Sequence, residues 1–251
     1  MLTRLAGLVL IAFASSLPAV AQDAPNPDRS RKWEILDNSF LVEEAFNQER
    51  GVVQNIFTWT RERDGGWEST FTQEWPAPAM THQFSYTVPF ASIDGATGLG
   101  DILLNYRYQV REETGGGPSI APRLSVIIPT GRAEEGLGSG ALGLQINVPA
   151  SKQFGDFYVH ANAGFTWLRD VQRTPHVGAS GIWRAAPMLN LMLEAIVELD
   201  ESATVAPGLR RGWNVGDHQI VIGAAVPFTR MGGATTAALL TYFSYELPFR
   251  R

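Results

Sequence analysis

Four histidines and Ser180 are the residues through which this chain would carry out covalent or metal chemistry. His82, His160, His176 and His218 lie on four separate stretches, and none forms H-E-x-x-H or a similar ligand spacing. There is no cysteine, which removes thiolate metal sites, thiol catalysis and disulfides. "GSGALG" (138–143) satisfies G-x-G-x-x-G but runs into an alternating stretch, so no helix N-terminus is there to receive a pyrophosphate. "GASG" (178–181) surrounds Ser180 with small residues without making the G-x-S-x-G elbow. His160, Ser180 and Glu194 have the functional groups of a hydrolytic triad, which is recognised by geometry and not by spacing. The expectation is therefore no catalytic group, no cofactor and no metal. What remains is charge: Asp101, Arg107, Arg123, Glu194 and Glu198, each set among small or apolar residues.

The elements that carry these charges have a period of two. In "GLGDILLNYRYQV" (98–110), Asp101, Leu103, Asn105, Arg107 and Gln109 share one side, and Ile102, Leu104, Tyr106, Tyr108 and Val110 the other. The same rule holds over Ala141–Pro149, Asp156–Leu168, Leu189–Leu199 and His218–Phe228, each with one wholly apolar or aromatic row. Twelve such strands are predicted from Val52–Glu62 to Ala234–Leu247, including Leu99–Arg111, Ser119–Pro129 and Pro175–Ala185. Short Gly, Asp and Pro clusters separate them as hairpin turns. "TGRAEEGLGSG" (130–140) is the longest connection among the later strands.

A β-sandwich in water also alternates, so the surroundings of the apolar rows must decide. These rows hold five or six residues without interruption, the length of a tilted strand crossing a bilayer. Phe57, Trp59, Trp75, Tyr106, Tyr108, Trp167, Trp183 and Phe228 fall towards row ends, as in interfacial girdles. The opposite rows are rich in Gly, Ala, Asn, Gln and Ser, and only 18% of the chain is charged. That suits a wet, crowded interior better than a solvent face. The fold expected is an all-β, closed, antiparallel, up-and-down transmembrane β-barrel of about twelve strands with short turns.

Export fits this reading. Arg4, the apolar run Leu5–Ala14 and the A-x-A site at Ala19–Ala21 make a secretory signal peptide, cleaved after Ala21. Residues 22–50 are expected to form an N-terminal periplasmic tail or partial plug, and 51–251 the barrel in the outer membrane. The conformation of Trp33–Arg50 is left open, with "FLVEEAF" (40–46) as the piece best suited to insertion into the lumen. The last strand, "LLTYFSYELPFRR", reaches the aromatic Phe249 before two arginines, the kind of ending that outer-membrane insertion machinery recognises. A net charge of −5 argues against a nucleic-acid partner. The partners expected are lipid and a small solute.

"GLGD" (98–101), "PRLSVIIPTGR" (122–132) and "GLGSGALGLQINVPASKQFG" (136–155) together resemble the outer-membrane transporter family named for the meta-pathway of phenol degradation. The resemblance runs from about Glu43 to the C-terminus. It implies an outer-membrane barrel that takes up small hydrophobic or aromatic compounds, and it supplies no catalytic or binding residues.

The expected function is thus a channel, not an enzyme, with Asp101, Arg107, Arg123, Glu194 and Glu198 lining the lumen. Arg107 and Arg123 are expected on one patch of wall, with Glu194 and Glu198 opposing them across a narrow pore. The alternatives are a lipid-modifying barrel enzyme and a secreted ligand-binding β-sandwich. In the former, catalytic groups must face lipid, whereas His160, Ser180 and Glu194 fall on inward rows.

Overall fold

The computed structural model describes residues 34–35, 39–113, 116–216 and 218–248. Fifteen strand segments follow one another: β1 (Val52–Glu62), β2 (Trp67–Pro76), β3 (His82–Ile93), β4 (Ala96–Leu99), β5 (Ile102–Tyr108), β6 (Ser119–Ile120), β7 (Arg123–Ile128), β8 (Gly143–Phe154), β9 (Phe157–Leu168), β10 (Gln172–Ala186), β11 (Leu189–Glu198), β12 (Ser202–Val215), β13 (His218–Ala225), β14 (Phe228–Met231) and β15 (Ala234–Pro248). All pairings between them are antiparallel, and β15 returns to β1 over the full length of β1, from Val52 opposite Pro248 to Glu62 opposite Ala238. The sheet is therefore a closed barrel, and closure satisfies the backbone edges that lipid cannot.

Three of its staves are broken. β4 and β5 both pair with β3, β6 and β7 both with β8, and β13 and β14 both with β12 and β15. Joining these segments gives twelve staves. Two breaks have a proline, Pro122 and Pro227, whose missing N–H cannot serve the ladder. The third falls at Gly100 and Asp101, where the strand releases its side chain to a loop.

Prolines do not always end a strand here. The sequence pattern predicts a strand end at Pro149 and a strand start at Pro175, but β8 and β10 run through both. At each, the carbonyl still serves the ladder: Pro149 accepts from the Ala121 N–H at 3.3 Å and Pro175 from the Leu199 N–H at 3.0 Å. The turns are tight, and Asp94 and Gly95 both have positive φ (49° and 86°), the backbone of a two-residue type I′ hairpin.

The two rows separate cleanly. Leu104, Leu144, Ile146, Val159, Leu193, Leu209 and Ile222 face outward and are exposed, whereas Asp101, Asn105, Arg107, Arg123, Gln145, His160 and Glu194 are buried inside. An apolar belt surrounding a polar interior inverts the arrangement of a water-soluble sandwich. Aromatic pairs mark both rims. At the mouth where β1 begins and β15 ends, Phe84 meets Tyr106, Phe157 stacks on Trp183, and His218 stacks on Tyr245. At the far mouth Trp67 meets Phe90. Phe57 departs from the expected rim position: it lies midway along β1, between Phe71 and Phe243.

Candidate functional site

Residues 39–48 lie inside the barrel. Phe40, Val42, Glu43, Glu44, Ala45, Asn47 and Gln48 are all buried. A strand of a sheet satisfies its backbone with neighbouring strands; this segment satisfies its own with wall side chains.

Glu194, on β11, is the first anchor. Its carboxylate accepts the successive backbone N–H groups of Phe40 (2.8 Å), Leu41 (2.9 Å) and Val42 (2.8 Å). Successive N–H groups converging on one anion form the concave arrangement that binds anions elsewhere, with the charge here supplied by the wall. Next along the chain, Glu43 exchanges two hydrogen bonds with the Asn162 amide, at 2.7 Å to its N–H and 2.8 Å to its carbonyl. Its side chain is clasped by two arginines: Arg107 Nη2 donates to Oε2 at 3.0 Å and Arg123 Nε to Oε1 at 2.8 Å. Ala45 then donates to Ser151 Oγ (2.7 Å) and accepts from Gln109 (2.9 Å), and the Gln48 N–H donates to Gln83 (2.6 Å).

An apolar socket holds the same segment. The Phe40 ring lies 5.4 Å from the Tyr242 ring and in one cluster with Ile182, Met192, Ala206, Val221, Ala225 and Leu240. Gly208 on β12 and Gly223 on β13 leave it room. A Cβ on Gly208 would stand 2.9 Å from the ring, and one on Gly223 2.5 Å from it. Gly212 makes the same allowance for Ile35. These inward glycines were the sequence signal that another segment approaches the wall closely.

Glu34 pairs with Arg184 at the rim, and residues 39–48 reach mid-lumen at Glu43 and return to that same rim at Gln48. Beside it, Leu41, Glu43, Arg123, Gln145, Asn147, Asn162, His176, Gly178 and Ile196 bound a void of about 20 Å³, room for about one water.

The five predicted lumen residues divide by this geometry. Arg107 and Arg123 are register partners on β5 and β7, and with Glu194 they hold the inserted segment. They do not face Glu194 across an open pore, because Glu43 and the Phe40–Val42 backbone stand between. Asp101 belongs elsewhere: it accepts from Gly131 N (3.0 Å), Ser139 N (2.7 Å) and Ser139 Oγ (2.6 Å), fastening the 130–140 connection at the far mouth. Leu137 of that connection is completely buried. Glu198, also near the far mouth, accepts from Ser202 Oγ at 2.7 Å.

The triad candidates do not form a relay. Ser180 and His160 are register partners, as are Ser180 and Glu194. Yet His160 Nδ1 pairs with Ser151 Oγ at 2.7 Å, Glu194 is occupied by backbone, and Ser180 Oγ has no hydrogen-bond partner among the described residues. Among the described residues no His, Asp or Glu cluster has metal-binding geometry. The signal segment, Phe249 and the final arginines lie outside the described residues.

A family model described as "Putative MetA-pathway of phenol degradation" matches residues 36–186. The chain belongs to this phenol-degradation family. The match takes in the inserted segment as well as β1 to β10. Among solved structures, the family member is similar to an outer membrane channel from Pseudomonas putida F1, at 11% identity and a TM-score of 0.59, covering 81% of this chain and 98% of that one. That likeness is one of fold. A bacterial polysaccharide outer membrane secretin (10% identity, 81% and 100% coverage, TM-score 0.43) and the β domain of a Bordetella autotransporter (11% identity, 79% and 98% coverage, TM-score 0.43) align less well. A comparison with curated proteins finds no match.

Proposed function

We propose that this chain is an outer-membrane channel for the uptake of small hydrophobic or aromatic compounds, and that residues 39–48 stand in its lumen as a closure. The observation that carries the reading is how the segment is held. Its mid-lumen turn depends on hydrogen bonds and ion pairs to Glu194, Asn162, Arg107 and Arg123, contacts that water or a solute can replace group for group. A segment meant only to fill the core would be packed by apolar side chains throughout. With twelve staves the barrel is wider than eight-stranded barrels, whose interiors side chains fill, and narrower than open porins. The mixed wall, in which Leu103, Ile127 and Leu168 cluster among amides and charges, supports a small amphipathic or aromatic solute over a large sugar.

An even number of staves puts both ends of the barrel at one rim, which is the periplasmic rim in bacterial outer-membrane proteins. The segment then enters from the periplasm, after export on residues 1–21 with cleavage following Ala21. Insertion through a C-terminal strand ending at Phe249 belongs to the same proposal.

Planar-bilayer recording of the folded protein tests the function. The expected result is small stepwise currents, interrupted in a concentration-dependent way by benzyl alcohol and not by glucose. Absence of steps, or equal interruption by both solutes, would contradict it.

A further inference from the structure

Two arginines directly opposite each other on neighbouring strands repel unless an anion joins them. Arg107 and Arg123 are such a pair, 2% and 4% exposed, and the anion between them is Glu43. The guanidiniums belong to the barrel wall and the carboxylate to the inserted segment. The wall orients its half in part without Glu43: Arg123 donates to Gln145 Oε1 at 2.7 Å and Asn105 Oδ1 at 3.1 Å, and also contacts Ser125 Oγ.

We propose that Arg107 and Arg123 form the carboxylate subsite of the solute pathway, that Glu43 occupies it as an internal stand-in, and that the solutes are small monocarboxylates with an apolar or aromatic body. The inference rests on the channel reading and narrows its substrate class. Each guanidinium takes a different oxygen of the one carboxylate, a two-point match to a planar anion. Leu41, Gly178 and Ile196 border the same void as Glu43 and Arg123, so an apolar body attached to the anion has a wall to lie on. The void itself admits no solute beside Glu43, so occupation requires exchange. Withdrawal of Glu43 removes the carboxylate that the two buried guanidiniums share, which favours an incoming anion over a neutral solute.

Glu43→Gln in the full-length, detergent-folded protein tests this. Gln keeps the side-chain size and the backbone bonds to Asn162 but removes the charge. The thermal unfolding midpoint should fall below that of the parent protein, and benzoate should restore it with an apparent affinity about tenfold or more above that of benzamide. Glu43→Gln/Arg123→Gln should lose that preference. In the parent protein, should Glu43→Gln not fold, benzoate and not benzamide should accelerate hydrogen exchange at the amides of residues 40–43. Equal responses to benzoate and benzamide, or a benzoate preference that survives loss of Arg123, would overturn the proposal. Both readouts register binding without current. A protein that binds benzoate here but never conducts would remove the channel reading alone, and a conducting protein indifferent to the charge would remove the subsite alone.

Discussion

The Phe40 ring fills the space that a side chain on Gly223 would occupy: a Cβ built there falls 2.5 Å from Cζ and 2.7 Å from Cε1. The contact joins the inserted segment to the wall where neither partner can change alone. Gly223→Ala should expel the ring and cost about 1–3 kcal/mol, the usual penalty of overpacking. Phe40→Ala should also destabilise, by removing a buried aromatic. Combined, the two changes should cost less than their sum, because the methyl group enters space the ring has left. Urea unfolding of the two single variants and the double variant in liposomes measures this. Strict additivity would mean that the ring does not sit against Gly223.

Glu194 is expected to control the order of the segment and not the integrity of the wall. Glu194→Ala deprives three buried N–H groups of their acceptor. A hydrogen bond to a charged group contributes about 1.5–3 kcal/mol, so exchange protection at Phe40, Leu41 and Val42 should fall about tenfold or more. Protection in β8 to β10 should stay unchanged. Loss of protection throughout the barrel would assign Glu194 to wall stability instead.

The wall was legible in the sequence because lipid and lumen impose opposite demands at alternate positions. Leu191, Leu193 and Val197 on one side and Asn190, Glu194 and Glu198 on the other leave a single consistent facing. Neither the breaks at Pro122 and Pro227 nor the unbroken passage of β8 through Pro149 and β10 through Pro175 was legible in the sequence. Whether a partner carbonyl is left facing the N–H that a proline lacks depends on register, which is set by the partner strand. The partners of the inward charges were equally hidden. Glu43 and Arg107 are separated by 64 residues, and the three N–H groups on Glu194 are backbone donors that no side-chain pattern announces. The inward glycines at 208, 212 and 223 were the visible trace of the segment, readable as close approach but not as approach by Phe40 or Ile35.

Neighbouring residues on β11 provide a test of facing. Leu193 is 56% exposed to the outside and Met192 only 5%, within the cluster that holds Phe40. Leu193→Arg should cost about 2–4 kcal/mol in bilayer unfolding, as a charge placed on the lipid face near mid-strand does. Met192→Gln should leave insertion intact and act on the socket, lowering exchange protection at Phe40. Equal shifts of the urea midpoint for both variants would refute the facing.

Asp101 is expected to matter at the far mouth alone. Asp101→Ala removes the acceptor for Gly131 and Ser139, so limited proteolysis should cut the connection at 130–140 faster while cleavage within 39–48 stays as in the parent protein. Enhanced cleavage of both segments would show that the loop and the inserted segment are held together.

The central claim is that residues 39–48 close the lumen. Single-channel conductance of the parent protein and of Phe40→Ala/Glu194→Ala, both folded and reconstituted in planar bilayers, tests it most directly. The double change removes the aromatic anchor and the acceptor of three backbone N–H groups without touching the outer face. The account predicts brief, small openings in the parent protein and long, larger ones in the variant. Indistinguishable conductance and open times in the two folded proteins would contradict it.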